Sequence, residues 1–304
     1  MDSVSAAPFH SPHDLLGAVP YLLGYHPGDE LVAIYRDTER KIIHVAAFAL
    51  NEPAEALIEH LAVSTPTGRT ATVVLIGYGA PSARHKLIAV GEVAELFLPV
   101  HGLMQVTGHR CICLRQGCAC AASTGVDIDP ANTPVATRLA VAGRVALPSR
   151  QDLHGLVAPD PVGQAETETA LATLPPGFDP GTGHIGSTLA QAEKGHRLTA
   201  EQTAQLAVAL TQRDPQATAW QSTCGCMWQR DLWLDLTRRV PDRYVTGPAN
   251  LAAWCAWRRG EHVLADTVLR RAQQVQPHDS LTVLIGSILN AHLPAHRIAW
   301  PPKH

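Results

Sequence analysis

Four cysteines fall within ten residues of this chain, in Cys111-Ile112-Cys113 and Cys118-Ala119-Cys120, and a further Cys-x-Cys string stands at Cys224-Gly225-Cys226. Thiolates at this density suit a tetrahedral zinc ion. An all-cysteine set leaves no open position for water, so such a site would be structural rather than catalytic. The inner spacing is tighter than the usual Cys-x-x-Cys, yet on an extended strand Cys111 and Cys113 project from one face. Three readings stay open. They are ordinary buried thiols, a zinc site on Cys111, Cys113, Cys118 and Cys120 with further ligands from Cys224 and Cys226, and a redox-active or disulfide pair. Zinc is the one cofactor these residues bring into consideration.

His26-Pro27-Gly28-Asp29 stands where a helix hands over to a strand. A histidine and a carboxylate at the mouth of a sheet form an acid–base pair if their side chains converge, and His26 and Asp29 are the candidate catalytic residues on that ground. The competing reading is a helix stop and turn set by Pro27 and Gly28. Gly181-Thr182-Gly183-His184-Ile185-Gly186 has the form of a dinucleotide loop. Such a loop needs a strand directly before it, and Leu174-Pro175-Pro176-Gly177-Phe178-Asp179-Pro180 is no central strand. No nucleophile elbow, Walker lysine loop or His-Glu-x-x-His string is present, and the 16 histidines are scattered singly.

The elements that must carry these groups divide the chain in two. Residues 1–150 alternate helical and strand patterns. Leu15 to Leu23 recur at helical spacing, and Glu30–Tyr35 and Lys41–Leu50 suit a hairpin. A helix over Ala54–Val63 follows, then a near-continuous apolar run over Thr70–Gly77 that reads as a strand buried on both faces. A helix over Pro81–Leu98, paired strands at Leu103–Thr107 and His109–Leu114, and a helix over Thr133–Leu147 complete a mixed sheet with helices on its faces. Residues 151–195 are rich in proline, glycine and aspartate and read as a connector with one short helix. Residues 196–304 read as wholly helical and hold all six tryptophans. There Ala253, Gly260, Ala265, Leu269, Ala272 and Pro277 are spaced like a tetratricopeptide helical hairpin.

A formal net charge of −3 leaves no electrostatic footprint for nucleic acid or an anionic membrane. No apolar stretch is long enough to span a bilayer, and the first residues lack the pattern of a signal peptide, so a cytoplasmic protein with reduced thiols is expected.

Three segments together carry a family resemblance. They are Asp14-Leu15-Leu16-Gly17-Ala18-Val19-Pro20-Tyr21-Leu22-Leu23-Gly24-Tyr25-His26-Pro27 ahead of Leu31-Val32-Ala33-Ile34, then the loop from Cys113 with Ala142-Gly143-Arg144-Val145-Ala146-Leu147-Pro148-Ser149-Arg150, and finally Ala253-Trp254-Cys255-Ala256-Trp257-Arg258-Arg259-Gly260. In this order they resemble the actinobacterial family catalogued as domain of unknown function 4192. The loop differs from that family's adjacent cysteines and proline in reading Cys118-Ala119-Cys120-Ala121. The resemblance implies an organisation and no activity.

The expected molecule is an α/β mixed-sheet domain followed by an all-α domain with a tetratricopeptide-like hairpin. Whether it is an enzyme stays open. The first expectation is a non-enzymatic regulatory or protein-interaction module that docks a protein partner through its C-terminal helices. The alternative is a small-ligand binder or hydrolase-type enzyme using the α/β domain, with Gly77-Tyr78-Gly79 as the wall of its site.

Overall fold

The computed structural model describes residues 11–66, 68, 70–115, 117, 125–179 and 181–301. The chain forms two compact units, residues 1–150 and 151–304.

The first unit opens with α1 (Pro12–Leu23), capped by the Ser11 side chain, which accepts from the Asp14 N–H, and stopped by Gly24 at φ 83°. The strands β1 (Glu30–Arg36) and β2 (Ile42–Ala49), the helix α2 (Ala54–Val63) and the strand β3 (Thr72–Tyr78) follow. Then come α3 (Arg84–Ala94), β4 (Val100–Thr107), β5 (Arg110–Cys113), β6 (Val126–Asp127) and α4 (Pro134–Val141). The sheet order is β2-β1-β3-β4-β5-β6. Among the described strands only β3 and β4 run parallel, joined through α3, and the other neighbours are antiparallel.

Every residue of β1 is buried, as a strand flanked by β2 and β3 requires. Its odd positions Leu31, Ala33 and Tyr35 pack with Leu57 and Leu61 of α2 and Leu87 and Val90 of α3 into one core. The even positions Glu30, Val32, Ile34 and Arg36 face the opposite side. One departure from the sequence expectation concerns a helix end. The helix expected over Thr133–Leu147 stops at Val141, because Gly143 takes φ 77° and turns the chain back. Leu147 then brackets the end of α1, donating to the Gly24 carbonyl and accepting from the His26 N–H, each at 2.8 Å.

The second unit is helical and begins just after Arg150, the first residue of α5 (Arg150–Gly155). Residues 151–195, expected as a connector with one short helix, also hold α6 (Pro161–Thr173) and α7 (Gly181–Glu193). Their prolines and glycines mark helix starts: Pro161 follows the capping Asp160, and the Gly181 N–H is bound by Asp179. Next come α8 (Ala200–Ala209), α9 (Arg213–Ser222) and α10 (Met227–Arg239). The last helices are α11 (Thr246–Arg258), α12 (His262–Val275) and α13 (Ser280–Asn290). The helical pattern expected through this half is broken at Thr223–Cys226, where Gly225 takes φ 93°. The hairpin α11–α12 turns at Gly260, φ 73°. Trp233, Trp254 and Trp257 are buried, and Trp220 and Trp300 meet Trp254 edge-on with ring centroids 5.4 and 4.7 Å away.

Candidate functional site

β1 is bounded by two charges on one face, Glu30 at its start and Arg36 at its end. At the start, Arg150 Nε lies 2.6 Å from Glu30 Oε1 and 3.0 Å from the Tyr25 hydroxyl, and Arg150 Nη2 donates to the Ala47 carbonyl at 2.7 Å. Burial, and then the Glu30 carboxylate, push the Tyr25 phenol above its ordinary value. Burial also raises Glu30 despite the guanidinium beside it. Glu30 Oε2 is buried and has no hydrogen-bond partner.

The neighbouring turn holds the sequence candidates apart. His26 is exposed, and its backbone is tied to Leu147. The Asp29 carboxylate instead lies against Gly79, where Oδ1 stands 2.7 Å from the place a Cβ would occupy, and Gly79 itself has φ 139°. No hydrogen bond joins the His26 and Asp29 side chains. Thr107 Oγ1 donates to the Gly79 carbonyl at 2.7 Å and Gln105 Nε2 to the Ala80 carbonyl at 2.8 Å, while Gln105 Oε1 accepts from Arg84 Nε. The Gly79 and Ala80 carbonyls, just after β3, are therefore held by side chains of β4.

The far end of β1 is different. Arg36 is 5% exposed, and its Nε and Nη2 are buried without a hydrogen-bond partner. Its cross-strand partner on β3 is Thr72, whose Oγ1 is also buried and unpartnered. Residues opposite each other across an antiparallel ladder project from the same face, so Arg36 and Thr72 stand side by side on one face of the sheet. Around them stand Arg40, His101 and Arg115. The His101 imidazole is held below its ordinary value by partial burial first, then by Arg36, Arg40 and Arg115. Arg36 is lowered by burial and then by Arg40. Nearby acids are engaged with other cations, Glu39 with Lys41 at 2.6 Å and Glu95 with Arg115 at 3.9 Å. A buried cation with unmade hydrogen bonds costs several kcal/mol, on the order of 1–3 per orphaned donor, and an anion accepting from them removes that cost.

Cys111 and Cys113 do share one face of β5, opposite Val106 and Met104 of β4. Burial, then Cys113, pushes the Cys111 thiol up to about 11, which suits a protonated, inert group. Cys118 and Cys120 lie outside the described residues. Among the described residues no group of three or more His, Cys, Asp or Glu side chains is placed to hold a metal ion. The Gly181–Gly186 string forms the start of α7 and has no strand before it.

The sequence reading overlooked Tyr25, Glu30, Arg36 and Arg150. A trace of them was available, since Glu30 and Arg36 bracket an otherwise apolar run, Leu31 to Tyr35.

The family described as "domain of unknown function (DUF4192)" matches residues 12–296 of the 304. The chain belongs to that family. No curated protein and no solved structure matches it. Among the described residues no helix is long and apolar enough to cross a membrane. In this DUF4192 chain two of the segments that carry the resemblance interlock. Tyr25 of the first bridges to Leu147 of the second and shares Arg150 with Glu30.

Proposed function

We propose that the N-terminal unit is a non-enzymatic, regulatory binding module for a small anionic ligand, seated where β1 ends. The observation that carries this reading is Arg36, buried with two guanidinium nitrogens unpartnered beside the unpartnered Thr72 hydroxyl. Arg40 adds positive charge around it, and His101 would add more only in acid. A planar guanidinium presents paired donors that match phosphate or carboxylate oxygens, and the Thr72 hydroxyl supplies a further donor.

Isothermal titration of the full chain with orthophosphate, pyrophosphate and citrate tests the proposal. Saturable binding of at least one anion, lost in Arg36→Met and weakened in Thr72→Val, is the expected result. Equal heats for the parent and Arg36→Met, or no binding of any of the three, would overturn it.

A second reading gives the helical unit a protein partner, with α11–α12 as a tetratricopeptide-like hairpin. Its support is the exposure of Val275 on α12 and of Val283 and Leu284 on α13. Val283→Glu and Leu284→Glu would then abolish capture of the partner while leaving anion binding intact. Unchanged capture would remove this reading and leave the first standing.

A further inference from the structure

The break between α9 and α10 places two thiols in contact. Cys224 Sγ and Cys226 Sγ are 2.7 Å apart, and both residues are exposed. Two thiolates on one zinc ion, each about 2.3 Å from the metal in a tetrahedron, stand roughly 3.8 Å apart. The observed separation lies instead within about 0.7 Å of a covalent sulfur–sulfur bond.

The turn is built to keep them there. Gly225 between them has φ 93°, and a Cβ on it would stand 2.8 Å from Cβ of Arg258. The buried Gln229 clamps the loop. Its Oε1 accepts from the Cys224 N–H at 2.8 Å, the Cys224 thiol at 3.3 Å and the Gly225 N–H at 3.3 Å, while its Nε2 donates to the Ser222 carbonyl at 2.7 Å. Arg259 Nη1 holds the Gly225 carbonyl at 3.3 Å.

We propose that Cys224 and Cys226 form a redox-active dithiol that closes to an intraloop disulfide by exchange with a low-molecular-weight disulfide. The Cys224 thiolate attacks one sulfur of the external disulfide R–S–S–R, forming a mixed disulfide and releasing one RS⁻. Cys226 then gives up its proton and attacks the Cys224 sulfur, expelling the second RS⁻ and closing the ring. Two cysteine thiols are oxidised, one external disulfide is reduced to two thiols, and the two protons pass to the two leaving thiolates. Cys226 is the resolving sulfur, already held in contact with the Cys224 sulfur by the Gly225 turn. Cys255 takes no part. It is buried, its proton is held by that burial, and its thiol donates to the Cys226 carbonyl at 3.5 Å.

The state of the pair is conveyed inward. Thr223, directly before Cys224, accepts the indole N–H of Trp254 on its carbonyl at 3.2 Å and that of Trp233 on its hydroxyl at 3.1 Å. Closing the ring tightens the segment that these two buried indoles grip, so their fluorescence reports it.

The test equilibrates the reduced full chain in glutathione buffers of graded ratio, then quenches with acid and alkylates under denaturing conditions for intact and peptide mass analysis. Loss of two alkylation sites within the peptide holding residues 224–226, with a parallel change in tryptophan emission, is expected. Cys226→Ser should stop at a glutathione adduct on Cys224, and Cys255→Ser should behave as the parent. Full alkylation of both thiols across the series would overturn the proposal. So would arrest of the parent at the mixed disulfide, or near-stoichiometric zinc protecting the pair.

Discussion

Arg36 and Thr72 face each other across the β1–β3 ladder, and each carries buried polar atoms with no partner. A folded chain retains such a pair at a cost, and several measurable consequences come from it.

In anion-free buffer Arg36→Met should raise stability, by about 1–3 kcal/mol, because it replaces a desolvated, unsatisfied charge by an apolar chain of similar length. Urea titration of the parent and the variant checks this. The order should reverse at saturating pyrophosphate, where only the parent gains binding energy.

Acid should weaken the fold through His101. Its folded pKa lies below the unfolded value, so the unfolded chain binds the extra proton first, and stability falls as pH drops through the window beneath about 6.5. His101→Gln should flatten that slope. Anions should protect the parent most at the acidic end, where His101 becomes a further cation. Melting curves at pH 5 and 7, with and without phosphate, supply the readout.

Arg150→Met should destabilise the first unit by about 2 kcal/mol at pH 7, since it strands the Glu30 carboxylate. The loss is smaller than for a fully enclosed pair because Arg150 keeps over a third of its side-chain surface in water. Glu30 already titrates above its ordinary range. The variant's deficit should therefore shrink as pH falls toward 4.5 and the stranded carboxyl takes a proton. Denaturant midpoints at the two pH values decide it.

Gln229→Leu should cost about 1–3 kcal/mol by orphaning the Cys224 and Gly225 N–H groups, and it should slow closure of the dithiol by loosening the turn. Unfolding titrations and the rate of thiol loss in oxidised glutathione measure the two effects separately.

Much of the first unit was legible because its strands advertise their burial. The apolar run after Thr70 had to be a strand covered on both faces, and it appears as β3 with Val73 to Ile76 buried. The paired strands expected at Leu103–Thr107 and His109–Leu114 left only Gly108 between them, and it takes φ 56° as a tight turn demands. Residues 151–195 misled because proline and glycine read as loop signals by composition alone. Pro161 after a capping Asp160 is a helix start, and only the position within the turn distinguishes the two. The site was hidden for another reason. A charged residue at a strand end ordinarily marks the solvent boundary, so Arg36 looked like an edge until its burial was known. The Cys224-Gly225-Cys226 string was visible, but the distance between its sulfurs depends on a helix break that the surrounding helical pattern concealed.

The opposite charges at the two ends of β1 also act as register marks for the sheet. Side chains on a strand alternate faces, so sliding β1 by one residue turns its whole inner set outward and its outer set inward. An apolar strand such as Leu31 to Tyr35 would tolerate that slip, since both of its faces are greasy. Glu30 and Arg36, about 20 Å apart along the strand, would not. The slipped arrangement drives them toward Leu57, Leu61 and Leu87, with Glu30 parted from Arg150. The two ionic residues thus proofread the pairing of a strand that hydrophobicity alone would leave free to misalign.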